Sequence, residues 1–410
     1  MIVLENCLIF DGEREELQEG LSVFVEKERI KDISKANRHI SDAHYINCEG
    51  RVLMPGLIDA HVHAYTPSFD VFKTDHMPPS LLASHAARTL EGMLRRGFTT
   101  VRDAAGGDRG LYLGIEQGLI DGPRFFYSGR AISQTGGHGD LRPDGHFEPC
   151  GCKGYSGSLS LVVDGEDEVR RAVREELRQG AHQIKIFASG GVCSPADPLW
   201  MDQMIEAEIR AAVYEASVHR TYVMAHCHTD GAAKRCVEYG VRTIEHGSEI
   251  SADTAELIVR SDAYVVPTLS VMAVVRDNGH MLGLPPMSLE KIQGLYETTL
   301  GSIETCKRAG VKLGLGSDLL DSRFHPLQGG ELALRGEVDT PIEVLRSATS
   351  INAEILNRQG ELGCIAEGAY ADMILLDFNP LKSLEPFGAP EKNILFVMKG
   401  GRIVRSSLPA

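Results

Sequence analysis

Eight short apolar runs, separated by longer stretches of helical pattern, constrain this chain more than any other feature. The runs are Leu57–His63, Thr99–Asp103, Arg124–Ser128, Gln183–Phe187, Tyr222–His226, Arg242–His246, Tyr264–Thr268 and Lys312–Gly316. Between them the apolar spacing turns helical, as over Ser80–Arg96, Glu166–Arg178, Glu206–His219 and Leu289–Ala309. Parallel strands need a crossover connection, so strands alternating with helices imply a parallel sheet. Eight such units close into a barrel. The spacing therefore predicts an α/β fold, a (β/α)8 TIM barrel over residues 57–360.

The two ends of the chain read differently. Ile2-Val3-Leu4, Cys7-Leu8-Ile9-Phe10 and Leu21-Ser22-Val23-Phe24-Val25 are short strand patterns broken by Asp11-Gly12 and Glu19-Gly20. Asp372–Asp377, Asn393–Met398 and Arg402–Val404 repeat that texture at the other end. Chain termini commonly lie close together, so residues 1–56 and 361–410 are expected to form one small β-sandwich domain.

The net charge of −15 is spread along the chain, which argues against nucleic acid and anionic membrane as partners. No run approaches the roughly 20 apolar residues that a membrane span needs. The start, MIVLENCLIFDG, lacks the basic residues and long apolar core of a signal peptide. Nine cysteines without framework spacing suit a reducing compartment, so a cytoplasmic location is expected. Cys150 and Cys152 could pair or hold a soft metal, but a single Cys-x-Cys without two further partners reads more simply as ordinary sequence.

In such barrels the chemistry sits at the C-terminal ends of the strands. The first run ends in His61-Val62-His63; residues two apart in a strand face the same side, so both imidazoles address one point. Neutral imidazole is the commonest protein ligand for zinc-like metals. The fourth run carries Lys185 in an apolar strand, where an amine is costly unless paired, neutralised or chemically altered. The fifth ends in Ala225-His226-Cys227-His228, the sixth in Glu245-His246-Gly247, and the eighth is followed by Ser317-Asp318. Cys227 faces away from its histidine neighbours and is expected to pack. Histidines, an aspartate and one buried lysine thus converge on a single barrel mouth.

PGLIDAHVH at 55–63, IKIFASGG at 184–191, AHCH at 225–228, EHG at 245–247 and GSD at 316–318 resemble the amidohydrolase superfamily. Within it the chain is most similar to the metal-dependent dipeptidases and carboxypeptidases that cleave Xaa-Pro or Xaa-Arg/Lys bonds, a branch that includes ochratoxinase-like amidases. The resemblance implies two divalent metal ions, with His-rich ligation suiting zinc. His61, His63 and Asp318 would hold the more buried ion, and His226 and His246 the other. A carbamylated Lys185 would bridge them, and a metal-bridging hydroxide would attack the amide, with Asp318 as general base and then general acid. It also implies a homo-oligomer. Mononuclear deaminases of the superfamily usually carry a catalytic glutamate three residues after the fifth-strand histidine; here that position is Thr229.

In the resembling dipeptidases a GGHGD-like loop points its histidine at the substrate carboxylate, which makes His138 a candidate binding group. His228, on the same strand face as His226, is a second. Asp140, Arg142 and His146 are lesser candidates in the same loop. Proline-dipeptidase relatives tend to have tyrosine at the position of His228, so a strict Xaa-Pro preference does not follow. The expected function is hydrolysis of a dipeptide or N-acyl amino acid with a free C-terminal carboxylate. The alternatives are a cyclic amide, imidazolone or lactone hydrolase on the same fold, or a non-enzymatic scaffold, although scaffolds of this kind typically lose ligands and none of the six is missing here.

Overall fold

A computed structural model describes residues 1–35, 40–142, 158–194 and 197–408. His146, Cys150 and Cys152 lie outside the described residues.

All eight predicted runs contain barrel strands, in parallel neighbouring order. Leu57–Val62, Phe98–Asp103 and Arg124–Tyr127 form one arc. Ile184–Phe187, Val223–Cys227, Thr243–His246, Tyr264–Val266 and Lys312–Leu313 belong to the other. Two backbone bonds join the arcs into a ring. His182 N donates to Tyr127 O at 2.8 Å, and Ala60 N donates to Leu315 O at 2.8 Å. The third station is shared: Arg124–Tyr127 pairs with the second strand, whereas the short Ala131–Ser133 pairs with the fourth through Ile132 and Ile186.

Strand alternation then sorts the side chains. Val101, Ile184, Ile186 and Ile244 are fully buried in apolar packing. Ile184, Ile186 and Ile244 join one cluster with Val173 and Ile209 of the surrounding helices. Their strand neighbours Arg102, Lys185 and Glu245 point the other way, into the barrel. Arg102 Nη2 donates to both Glu245 oxygens at 2.9 and 3.0 Å, a bond between the second and sixth strands that must cross the lumen. The lumen is therefore polar and charged, and buried charge of this kind persists only when paired.

The two chain ends share one eight-stranded mixed sheet, as the sequence led us to expect. Met373–Leu376 runs antiparallel to Val52–Pro55, bringing the C-terminal strands beside the N-terminal ones. The sandwich core joins Leu4, Val23, Ile46 and Leu53 to Met373, Leu375 and Phe396. The expected single helix over Leu289–Ala309 is instead two, Pro286–Lys291 and Leu295–Ala309. Gly294 lies between them with φ of 73°, a left-handed conformation in which an α-helix cannot continue. No helix among the described residues is long and apolar enough to cross a membrane.

Candidate active site

His61, His63, Lys185, His226, His246, Asp318, His138 and His228 all line one pocket at the C-terminal mouth of the barrel, a cavity of about 130 Å³. The ligand atoms of His61, His63 and Asp318 lie within 4.8 Å of one another. His63 Nε2 is 3.0 Å and His61 Nε2 is 3.5 Å from Asp318 Oδ1. Across the mouth, the rings of His226 and His246 are 4.6 Å apart, and His246 is 5.1 Å from His61.

The local backbone makes this convergence possible. His246 (φ 69°), ending the sixth strand, and Asp318 (φ 52°), five residues beyond the eighth, both adopt left-handed conformations. Such positions cost energy, and they concentrate where function requires a side chain to be re-aimed. Gly316 lets the eighth strand approach the first: a Cβ there would stand 2.6 Å from His61 Cβ.

Each of the four candidate histidine ligands has one ring nitrogen engaged by the protein. His61 Nδ1 donates to Glu245 Oε2 at 2.6 Å, and His63 Nδ1 to the Ala105 carbonyl at 3.2 Å. His246 Nδ1 is hydrogen-bonded to the Thr268 hydroxyl at 2.7 Å, and His226 Nε2 donates to the Gly190 carbonyl at 3.1 Å. Among the described residues, Nε2 of His61 and His246 and Nδ1 of His226 are left for another partner, while Nε2 of His63 faces the Asp318 carboxylate at 3.0 Å. Fixing the tautomer through the far nitrogen is how proteins orient metal-binding imidazoles.

The charge states agree with that reading. Burial, with Lys185 nearby, pushes His61 down to about 4. Burial and neighbouring histidines hold His226 and His246 well below their ordinary value. These rings are neutral, the state that ligates. His63 is the exception: burial opposes its charge, but the adjoining Asp318 carboxylate outweighs burial and raises it. Asp318 itself is penalised by burial, yet His61 and His63 hold it below the usual carboxylate range. Burial pushes the Lys185 amine down to about 8. Its charge acts on His61, His226, His246 and Asp318 alike, so it reaches both halves of the site. Imidazole nitrogens, a carboxylate and a depressed lysine at one mouth form a donor set that fits divalent metal.

His138 and His228 stand beside this cluster. His138 stacks on His226 with centroids 4.3 Å apart, and His228 on His246 at 5.0 Å. His228 Nδ1 is bonded to Ser248 Oγ at 2.9 Å. Asp140 accepts from Arg142 Nε at 2.7 Å and from Gly136 N at 3.0 Å. Thr229 caps a helix through a bond accepted from Ala232 N at 3.2 Å. Cys227 is fully buried, its sulfur 3.7 Å from that of Cys236.

Sequence reasoning missed several contributors. Glu245 binds His61, Arg102 and Thr243, which makes it the hub beneath the site. Its partner Arg102 carried the same signal as Lys185, a cation inside an apolar run. Asp59 lies buried behind the mouth and accepts from Ser317 Oγ at 2.6 Å and Gln328 Nε2 at 2.8 Å, tying the eighth strand to the first. Asp197, beside His138, and the apolar residues of the opposite pocket wall had no local signature.

The match to known proteins covers nearly the whole chain. A model described as "Amidohydrolase family" matches residues 52–404. Ochratoxinase from Aspergillus niger is 34% identical over 371 residues, 86% of this chain and 76% of that protein. A prolidase crystallised with N-methylphosphonate-L-proline is 44% identical, covers 99% of this chain and 100% of its own, and has a TM-score of 0.94. A Xaa-Pro dipeptidase with methionine bound in its active site is 27% identical, covering 98% and 99%, with a TM-score of 0.85. A polar barrel mouth with this ligand pattern, on a chain matched end to end, has one reading: the protein is an enzyme of the amidohydrolase family, a hydrolase of amide bonds.

Proposed function

We propose that this enzyme is a binuclear metal-dependent hydrolase cleaving the amide of a dipeptide or N-acyl amino acid that bears a free C-terminal carboxylate. The observation that carries the reading is the set of four histidines, each locked through one ring nitrogen, facing Asp318 and Lys185 across one pocket.

His61, His63 and Asp318 would hold one divalent ion and His226 and His246 the second, and the pair would supply an acidified water and an electrophile for the scissile carbonyl. The Lys185 amine, depressed to about 8, has a neutral fraction near neutral pH. That amine can add carbon dioxide: an N–C bond forms, one proton leaves, and a carbamate anion replaces a cation. The product suits a bridging position between two cations. Asp318 would accept the proton of the attacking water and return it to the leaving amine, general base and then general acid.

His138 and His228, set beside the ligands, would anchor the substrate carboxylate. The rest of the pocket is largely apolar, walled by Val71, Val271, Met272, Val275, Ile292 and Leu320. Asp318 is the sole carboxylate among the described lining residues, so a lysine or arginine side chain would find no counter-ion there. An apolar side chain is therefore favoured over a basic one. Two relatives support a carboxylate-bearing ligand, one holding N-methylphosphonate-L-proline and the other methionine.

The test is a panel of dipeptides and N-acyl amino acids, with cyclic amides, imidazolones and lactones as controls, run on metal-free and zinc-reconstituted enzyme. Metal-dependent turnover of apolar dipeptides or N-acyl amino acids is expected. Turnover of rings alone, or activity indifferent to chelation, would sink the proposal.

A further inference from the structure

We infer that Lys291 and Asp197 form a clamp on the loop after the fourth barrel strand, and that this clamp positions His138 in the pocket. Lys291 ends the short helix Pro286–Lys291, 94 to 100 residues further along the chain than its partners. Its ammonium donates to three backbone carbonyls of the loop: Gly191 at 2.8 Å, Ser194 at 3.2 Å and Asp197 at 2.6 Å. Three donors meet three acceptors, so the group is fully used in tying Gly191, Ser194 and Asp197 to the helix.

Asp197 adds ties of its own. Its carboxylate is fully buried, accepting from Gly191 N at 2.9 Å and Gln203 Nε2 at 3.2 Å. The same Oδ2 lies 3.4 Å from His138 Nδ1, while Oδ1 has no hydrogen-bond partner among the described residues. A buried carboxylate is costly unless donors or cations surround it, and the His138 imidazole joins Gly191 N and Gln203 Nε2 around Oδ2. His138 Nδ1 is hydrogen-bonded to Ser194 Oγ at 2.7 Å, and Ser194 Oγ lies 3.3 Å from Gly191 O, one of the carbonyls that Lys291 holds. The chain of contacts thus runs from Lys291 through the loop to Nδ1 of His138, leaving Nε2 for substrate. Gln203 adds a second tie, accepting from His138 N at 2.9 Å.

Sterics agree. A Cβ on Gly191 would stand 2.1 Å from the His138 ring, so the loop backbone itself forms one wall of the imidazole's seat. The preceding residue, Gly190, supplies the carbonyl that engages His226. One loop therefore seats a substrate-facing histidine and a candidate metal ligand side by side, which accounts for their stacking. Lys291 and Asp197 are positioning residues: neither lines the pocket.

The clamp stands on contacts alone; its effect on catalysis rests on the proposed function. The two are separated by measuring Lys291→Met and Asp197→Asn in two ways. Amide hydrogen exchange of the zinc-loaded protein, without substrate, is expected to quicken at Gly190–Ser194 in both variants and to stay unchanged in the sandwich. Unchanged exchange at the loop in either variant overturns the clamp, whatever the enzyme hydrolyses. Steady-state kinetics should then show KM for a carboxylate-bearing substrate rising about 10-fold, with kcat and metal content held within about threefold. Loosened exchange with unaltered KM would overturn the link to His138. Lys291→Arg, which keeps the cation, should recover part of the loss; a merely packing role predicts that Met is tolerated as well as Arg.

Discussion

Replacing Glu245 by Gln separates two jobs that the structure assigns to one carboxylate. Glu245 and Arg102 are both fully buried, and the guanidinium meets the two carboxylate oxygens at 2.9 and 3.0 Å. Burial opposes the charge of Glu245, yet Arg102 and His61 hold it down at about 2. Neutralising it strands a buried guanidinium, which costs about 3–5 kcal/mol. Since Gln keeps one oxygen able to accept from Arg102, the lower end of that range is expected, still a large share of a typical folding stability of about 5–15 kcal/mol. The same substitution removes the anionic acceptor from His61 Nδ1, and loss of such a partner weakens metal binding by about 10–100-fold. The double variant Arg102→Met, Glu245→Gln discards both charges and should regain stability to within about 1–2 kcal/mol of the parent. It should not regain metal affinity, because His61 still lacks its carboxylate. Unfolding is best followed by far-ultraviolet circular dichroism, since the single tryptophan, Trp200, is 77% exposed and reports poorly on the core. Zinc affinity is read by competition with a chromophoric chelator. A double variant that recovers zinc affinity together with stability would refute the idea that Glu245 orients His61.

Three further outcomes are expected. Asp318→Asn should lower kcat by about 10²–10⁴-fold, the range for losing a proton-transfer group, measured by steady-state kinetics at saturating zinc. Lys185→Ala should hold fewer than two metals per chain by elemental analysis, and a short carboxylic acid diffusing into the vacated space should restore part of the activity. Glu331, buried at the start of the helix Leu269–Asn278, accepts from Leu269 N and Ser270 N, and burial pushes its carboxyl from 4.5 up to about 7. A raised folded-state value means that the stability it contributes is fully present below about pH 4.5 and lost as pH rises through about 7. That loss amounts to about 3 kcal/mol, and Glu331→Gln should flatten the stability profile across the window, as urea midpoints at successive pH values would show.

The barrel was legible because its signals are local. A strand shows in a few residues, and period-two alternation tells which side chains share a face, so His61 with His63 and the inward Lys185 could be read directly. Arg102 was equally legible by the same logic and went unread. The break at Gly294 was local too, but the helical pattern on both sides of it masked the boundary.

The residue types of the site, their order along the chain and the strands that carry them were determined by the sequence alone. Which nitrogen of each imidazole is locked from behind was decided only by the tertiary structure. Glu245 lies 184 residues from His61, and the other locks are the carbonyls of Ala105 and Gly190 and the hydroxyl of Thr268. A backbone carbonyl is present at every position and so leaves no mark in a sequence. The same holds for the Lys291 clamp, whose acceptors are all carbonyls, and for the apolar wall drawn from distant loops and helices. Period and composition encode what a segment becomes; what it meets depends on closure of the barrel, which brings residues hundreds of positions apart within hydrogen-bond reach.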